Sequence, residues 1–115
     1  MLTYRTMTYS DPLALRVRHA LHATRGIVEK KMFGGLAFLW HGRLLVGVWH
    51  DGLIVRLGPE RASTALREPD VGKFDITGRP MKGWVLVDAG GLDSEERLAQ
   101  WIDQALDFVG TLPAK

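Results

Sequence analysis

The chain has 115 residues, 46% of them hydrophobic and 24% charged, which are the size and composition of one globular domain. It has no cysteine, so disulfides, thiolate catalysis and zinc–thiolate sites are excluded. The net charge is only +2, but residues 1–87 hold 13 Lys or Arg against 7 Asp or Glu, whereas residues 88–115 hold 2 against 6. This asymmetry indicates either complementarity within the molecule or between subunits, or a basic surface for an acidic partner.

Targeting and membrane segments are not expected. No apolar run approaches the roughly 20 residues that span a bilayer, and residues 1–10 lack the apolar core of a signal peptide. No repeat, low-complexity tract or linker divides the chain. We therefore expect a single domain over residues 1–115, soluble and cytoplasmic, with no membrane partner.

The first predicted element is a helix that begins at Asp11–Pro12. Asp11 is placed as the N-cap and Pro12 at the first helical position, where its missing N–H costs nothing. Leu13, Val17 and Leu21 then follow at helical spacing. Gly26 is expected to end the helix.

A run of strand-like segments follows this helix, at residues 28–33, 36–40, 43–49 and 53–57. Short turns at His41–Gly42 and Asp51–Gly52 join the last three, and the Asp-Gly pair is the strongest hairpin signal in the chain. Three strands with such short links indicate an antiparallel meander rather than a parallel sheet.

The second half of the chain alternates between the two kinds of element. A short helix is predicted at residues 59–67, strands at 74–76 and 84–88, and a structured turn at 77–83. Asp93 is placed as the N-cap of the last helix, with Glu96 at capping-box spacing and Gly110 as its end. The predicted order is αβββαββα, a two-layer α+β fold with an antiparallel sheet.

Both faces of the predicted sheet are apolar. Residues 36–40 and 44–49 are apolar at nearly every position, although an antiparallel sheet with one wet face alternates apolar with polar side chains. We therefore expect a second subunit to bury part of the second face, most simply in a two-fold homodimer. The alternative is that the helices divide between the two faces.

The stretch Thr77–Gly83 is the first candidate for a site that binds an anion or a protein partner. Two glycines and a proline fix its backbone, and it presents Arg79, Met81 and Lys82. Arg79 offers a planar fork for a carboxylate or a phosphate, and Lys82 a point charge. The alternative is a bulge between strands in which Arg79 pairs with Asp75 or Asp88.

A basic stretch is the second candidate surface, which a phosphate backbone would follow. It consists of Arg16, Arg18, Arg25, Lys30 and Lys31, with Arg43 as a further member. Trp40 and Trp49 would stack on single-stranded bases if exposed, but they stand where strands need core residues. Arg56, inside an apolar strand, is interpreted as a buried or interfacial ion-pair partner.

Catalytic, metal and cofactor sites are not predicted. The serines occupy cap-like or helical contexts, and Glu95–Glu96 is explained by the dipole of a helix first turn. His19 and His22 share a helix face without a neighbouring carboxylate. Residues 32–35 have glycines but lack the Lys-Ser/Thr of a phosphate-binding loop, so they are interpreted as a tight strand connection with Met32 and Phe33 in the core.

Two segments, Lys31-Met32-Phe33-Gly34-Gly35-Leu36-Ala37-Phe38 and Thr77-Gly78-Arg79-Pro80-Met81-Lys82-Gly83, resemble the TfoX/Sxy N-terminal domain family. The similarity extends from about Lys30 to Pro113. It implies a two-layer αβββαββα domain, similar to secretion-chaperone-like folds, with frequently paired subunits. Some members regulate natural competence together with a cyclic-AMP-dependent activator at promoters. Those regulators have a second, C-terminal domain that these 115 residues do not include, so their regulatory activity does not transfer as a whole.

The resemblance supplies no catalytic residues. We therefore expect a non-catalytic regulatory or adaptor domain that binds a protein partner, in transcription regulation for example. The alternatives are direct binding of nucleic acid and, further off, a small-molecule-binding protein or an enzyme.

Overall fold

The computed structural model describes residues 9–32, 34–75 and 81–113. The elements in chain order are α1 (Asp11–Ala20), β1 (Ile27–Met32), β2 (Gly35–Trp40), β3 (Arg43–Trp49), β4 (Gly52–Arg56), α2 (Pro59–Ala65), β5 (Val71–Lys73), β6 (Trp84–Val87) and α3 (Glu95–Val109). A short 3₁₀ helix, Ala89–Leu92, precedes α3.

The six strands form one antiparallel sheet in the order β1-β2-β3-β4-β6-β5. The predicted α+β class and the antiparallel meander are confirmed. The observed order is αββββαββα. It has one strand more than the predicted αβββαββα, which does not count the strand-like segment at residues 28–33; this segment forms β1 and pairs with β2 along its whole length.

Two-residue turns fix the register of the meander. His41 and Gly42 both have positive φ, 52° and 82°, as the tight turns that suit a twisted hairpin require. The hairpin predicted at Asp51–Gly52 is present, but its turn lies one residue earlier, at His50–Asp51, and Gly52 pairs with Trp49. Gly52 is required for space, because a Cβ there would lie 3.0 Å from the carbonyl oxygen of Val87.

Serines, not the predicted aspartates, cap the two long helices. The Ser10 hydroxyl accepts a hydrogen bond of 3.2 Å from the Leu13 amide, and the Ser94 hydroxyl one of 3.1 Å from the Arg97 amide. Asp11 therefore lies inside the first turn of α1, where the helix dipole favours it. Helix α1 also ends earlier than expected, at Ala20.

All three helices pack on one face of the sheet, which we call the helical face. The core consists of alternate strand residues packed against apolar helix residues. From the strands these include Leu36, Phe38, Val46, Val48, Leu53, Val55, Val85 and Val87, and from the helices Leu13, Val17, Ala62, Leu98, Trp101 and Ile102. In the part of the chain that the structure describes, the helices therefore do not divide between the two faces of the sheet, and that alternative is wrong.

The other face, which we call the far face, is covered at its centre. Its central row runs across the strands through Ala37, Gly47, Ile54 and Leu86, which are register partners. Ala37 and Ile54 are nevertheless fully buried. Phe74, whose ring lies beside those of the strand residues Trp49 and Trp84, is 2% exposed.

Phe74 was predicted to belong to a strand, and that prediction is wrong. The strand is Val71–Lys73, and Ile76 lies outside the described residues. The ring of Phe74 lies 6.2 Å from that of Trp49 and 6.4 Å from that of Trp84. A strand of three residues is too short for its alternation to be recognised in the sequence.

The margin of the far face stays apolar and exposed along β1. Val28 is 61% exposed and Met32 is 38% exposed, so the prediction that Met32 belongs to the core is wrong, while Phe33, predicted with it, lies outside the described residues. Val28 pairs with Leu39, while the neighbouring Glu29 points to the helical face and binds Arg18 of α1. Strand β1 is an edge strand, so it has a neighbouring strand on one side only.

Candidate partner-binding surfaces

The turn before β6 carries the described part of the predicted anion- or partner-binding loop. Arg79 lies outside the described residues, whereas Met81 and Lys82 are both exposed. The Met81 amide donates to the carbonyl of Phe74 (3.0 Å), and the carbonyl of Gly83 accepts from the Leu57 amide (2.8 Å). These backbone bonds tie Met81 and Gly83 to neighbouring chain, and Lys82 lies between the two bonded residues.

A groove of about 400 Å³ lies between α2 and this turn, and we call it the α2 groove. Its apolar lining comes from Pro59, Ala62, Leu66, Met81 and Trp84. Lys73, at the end of β5, and Lys82 add two positive charges, and Ser63 adds a hydroxyl. No carboxylate lines it within the part of the chain that the structure describes.

Arg56 lies half-buried beside the α2 groove. Its guanidinium carbon is 5.1 Å from the ring centroid of Trp84 and 6.0 Å from that of Phe108, which is cation–π geometry. Burial, and then the positive charge of Arg43, lowers the pKa of Arg56. Among the described residues it has no carboxylate partner, so the ion pair expected from the sequence is not formed within this part of the chain.

The basic stretch does not form one free stripe. The guanidinium of Arg16 donates to Glu95 (3.0 Å) and to the carbonyl of Leu92 (2.6 Å), which ties α1 to the start of α3. Arg18 binds Glu29 through two hydrogen bonds of 2.7 and 2.9 Å, which raise its pKa.

The other three members of that stretch, Arg25, Lys30 and Lys31, are exposed. They form no ion pair with any carboxylate in the described ranges. Lys30 and Lys31 point to opposite faces of β1, because successive strand residues alternate. A phosphate-binding surface here remains a prediction that rests on three side chains rather than five.

Replacing Arg16 with alanine is expected to lower the free energy of unfolding by about 1–2 kcal/mol, because hydrogen bonds from a charged donor to partly buried acceptors are lost. Urea denaturation monitored by circular dichroism measures the change. Arg18→Ala is the matched control, with an expected loss below about 1 kcal/mol because its ion pair with Glu29 is exposed. Equal losses would contradict a structural role for Arg16.

A comparison of the chain with protein-family models gives a match. The family model described as the TfoX N-terminal domain matches residues 19–109. The chain belongs to the TfoX N-terminal domain family. The match runs from the end of α1 to the end of α3 and includes all six strands. Comparisons with curated proteins and with solved structures give no match.

Membership in the TfoX N-terminal domain family fits a regulatory or adaptor domain, and this family is generally non-catalytic. No group of three or more His, Asp or Glu residues is placed to hold a metal ion within residues 9–32, 34–75 and 81–113. His22 and His19, considered above as a ligand pair, are instead joined by a 2.8 Å contact from the His22 Nδ1 to the His19 carbonyl. None of the helices described is long and apolar enough to cross a bilayer.

The sequence alone missed most of this TfoX N-terminal domain's α2 groove. The sequence predicts Met81 and Lys82 as site residues but not Lys73 or the α2 residues. The pairing of β5 with β6 brings Lys73 to the turn, and the bond from the Gly58 amide to the Gly83 carbonyl brings the start of α2 there. A charged residue inside an apolar strand marks Arg56 as unusual in the sequence. Its contacts with the rings of Trp84 and Phe108 depend on tertiary structure and do not follow from residue spacing.

Proposed function

We propose that this TfoX N-terminal domain is a non-catalytic regulatory adaptor that acts by binding protein, and that it forms a homodimer through the far face of β1. The supporting observation is the apolar margin there: Val28 is 61% exposed, beside the half-buried Leu39 and Leu44. Met32 extends the patch along the same strand. Exposed apolar side chains on an edge strand are a typical site of association between chains.

The dimer is expected to be isologous and weak. An isologous contact places the same patch on both copies in the interface, so the patch formed by Val28 and Met32 of one copy lies against the same patch of the other. The patch is small and Lys30 lies within it, so the buried area falls at the low end for specific interfaces, below about 1,200 Å². A concentration-dependent equilibrium between monomer and dimer follows from this.

Replacing Val28 and Met32 together with aspartate is expected to abolish the dimer, since two buried charges from each copy would oppose association. Sedimentation velocity over a range of concentrations measures the equilibrium. Leu15→Asp is the matched control, because Leu15 is an equally hydrophobic residue that is 50% exposed on α1. Circular dichroism confirms that both variants are folded.

A wild-type chain that stays monomeric at every concentration would contradict this interface. So would a Leu15→Asp variant that dissociates as completely as the double variant. The direct binding of nucleic acid is less well supported, because Arg16 and Arg18 are already engaged with carboxylates. It is one of the outcomes of the experiment described next.

A further inference from the structure

We propose that the α2 groove binds an acidic protein segment that carries an apolar anchor residue. This proposal rests on the proposed function, because it assumes that the domain acts by binding protein, and it adds the site and the class of partner. It concerns a different surface from the dimer interface: Lys73 lies on β5, and β1 and β5 are the two opposite edges of the sheet.

The shape and lining of the groove favour an apolar anchor. Its volume of about 400 Å³ lies within the range of about 300–1,000 Å³ that ligand clefts occupy. Ala62 of α2 and Leu66, directly after α2, line one wall, and the 42% exposed Met81 of the turn and Trp84 of β6 line the other. A flexible methionine beside a rigid indole suits the burial of a large apolar side chain.

Backbone hydrogen bonds tie the two walls of the groove together. Gly83 holds the turn with φ of +86°, and its carbonyl accepts hydrogen bonds from both the Leu57 and the Gly58 amides. Gly58 directly precedes α2, so one carbonyl connects both walls of the groove. A preformed site loses little conformational entropy when it binds a partner.

The charges around the groove favour an acidic partner. Lys73 and Lys82 line it, and neither is paired with a carboxylate in the described part of the chain. Arg56 packs against the same Trp84, and burial and then the positive charge of Arg43 lower its pKa by disfavouring its charged form. An anionic partner would offset this uncompensated positive charge next to an apolar surface.

The side of α2 that faces α3 differs from the groove side in how its positive charge is compensated. Arg61 there reaches Asp107 at 3.5 Å and the carbonyl of Gln104 at 3.2 Å, so its charge is compensated within the chain. Lys73 and Lys82, on the groove side, form no such ion pair with the described residues. A protein segment fits this combination better than nucleic acid, because a phosphate backbone has no apolar anchor to fill the concave lining.

The experiment pans a phage-displayed library of random peptides against the full chain and measures enriched peptides by fluorescence anisotropy. The expected result is enrichment of sequences that combine Asp or Glu with Leu, Phe or Trp. Lys73→Glu with Lys82→Glu is expected to weaken these peptides by about tenfold or more, because two attractive charges become repulsive. Enriched peptides are also expected to shift the Trp84 indole resonance.

The matched control is Lys30→Glu with Lys31→Glu, which makes the same charge change on exposed lysines at the opposite edge of the sheet. This variant is expected to bind the peptides as the wild type does. Enrichment of peptides without acidic residues, no enrichment at all, or equal weakening by both double variants would overturn the proposal. Labelled duplex DNA that binds the wild type and is lost on Lys73→Glu with Lys82→Glu would assign the groove to nucleic acid instead.

Sedimentation velocity on the same variants separates this proposal from the dimer. The Lys73→Glu, Lys82→Glu variant is expected to retain the wild-type monomer–dimer equilibrium. Failure to enrich acidic peptides with a dimer that persists overturns the groove alone. Peptide binding by a chain that is monomeric throughout supports the groove and overturns only the dimer.

Discussion

Replacing Gly58 with alanine is expected to lower the free energy of unfolding by roughly 2–5 kcal/mol. Gly58 has φ of 85° and ψ of 160°, a combination that is essentially restricted to glycine. A Cβ at this position would also lie 2.5 Å from two ring carbons of Phe108. Backbone strain and a clash with an aromatic ring of α3 therefore act together.

The loss would be large for a domain of this size, because folded domains are stable by only about 5–15 kcal/mol in total. It would also disturb the α2 groove. The Gly58 amide donates to the carbonyl of Gly83 at 3.0 Å, and a Cβ on Gly83 would lie 3.3 Å from the carbonyl carbon of Gly58. The two glycines therefore allow the chain before α2 to approach the turn before β6.

Urea denaturation measures this change, with Gly72→Ala as the matched control. Gly72 lies exposed in β5 and a Cβ there would meet no atom within 4 Å, so a change within about 0.5 kcal/mol is expected. A Gly58→Ala variant as stable as Gly72→Ala would show that the chain relieves the clash by moving Phe108. Peptide binding by the folded fraction would then reveal whether the groove moves with it.

The hairpins were the part of the fold most accessible from the sequence. Glycines beside short polar turns, flanked by apolar runs, leave few alternatives to an antiparallel meander, and β3 was predicted with its exact bounds, Arg43–Trp49. The helix caps were missed by one residue. Ser10 and Asp11 have nearly equal N-cap preferences, as do Asp93 and Ser94, so only the backbone conformation selects between neighbours.

The candidate site was accessible only in part, for a different reason. Met81 and Lys82 stand in a segment whose composition marks it as an unusual turn, whereas Lys73 and Leu66 have no such local signal. Lys73 and Leu66 come close to Met81 and Lys82 only because α2 packs beside the turn and because β6 inserts between β4 and β5 in the sheet. The partner of a charged strand residue depends on tertiary structure too, and for Arg56 it is a pair of aromatic rings.

Replacing Phe74 with alanine is expected to lower the free energy of unfolding by about 3–5 kcal/mol, the usual loss when a buried aromatic ring is deleted. The ring is 2% exposed, and it meets Trp49 edge-on with an interplanar angle of 76°. Its ring also lies 6.4 Å from that of Trp84, so it joins Lys73 and the end of β5 to the start of β6 through a buried aromatic contact. Urea denaturation measures the loss, and Phe74→Leu is expected to retain part of the stability because it keeps an apolar side chain at the site.

Hydrogen exchange shows whether this residue covers the far face of the sheet. If it does, Phe74→Ala exposes Ile54 and its neighbour Leu86, and the amides of β4 and β6 lose protection before those of α3. Newly exposed apolar surface would also strengthen self-association, so sedimentation should detect larger species than those that the wild type forms. A loss below about 1 kcal/mol with unchanged exchange would contradict this role, since deletion of a ring that buries a sheet face cannot be neutral. The far face would then be buried by contacts other than those of Phe74.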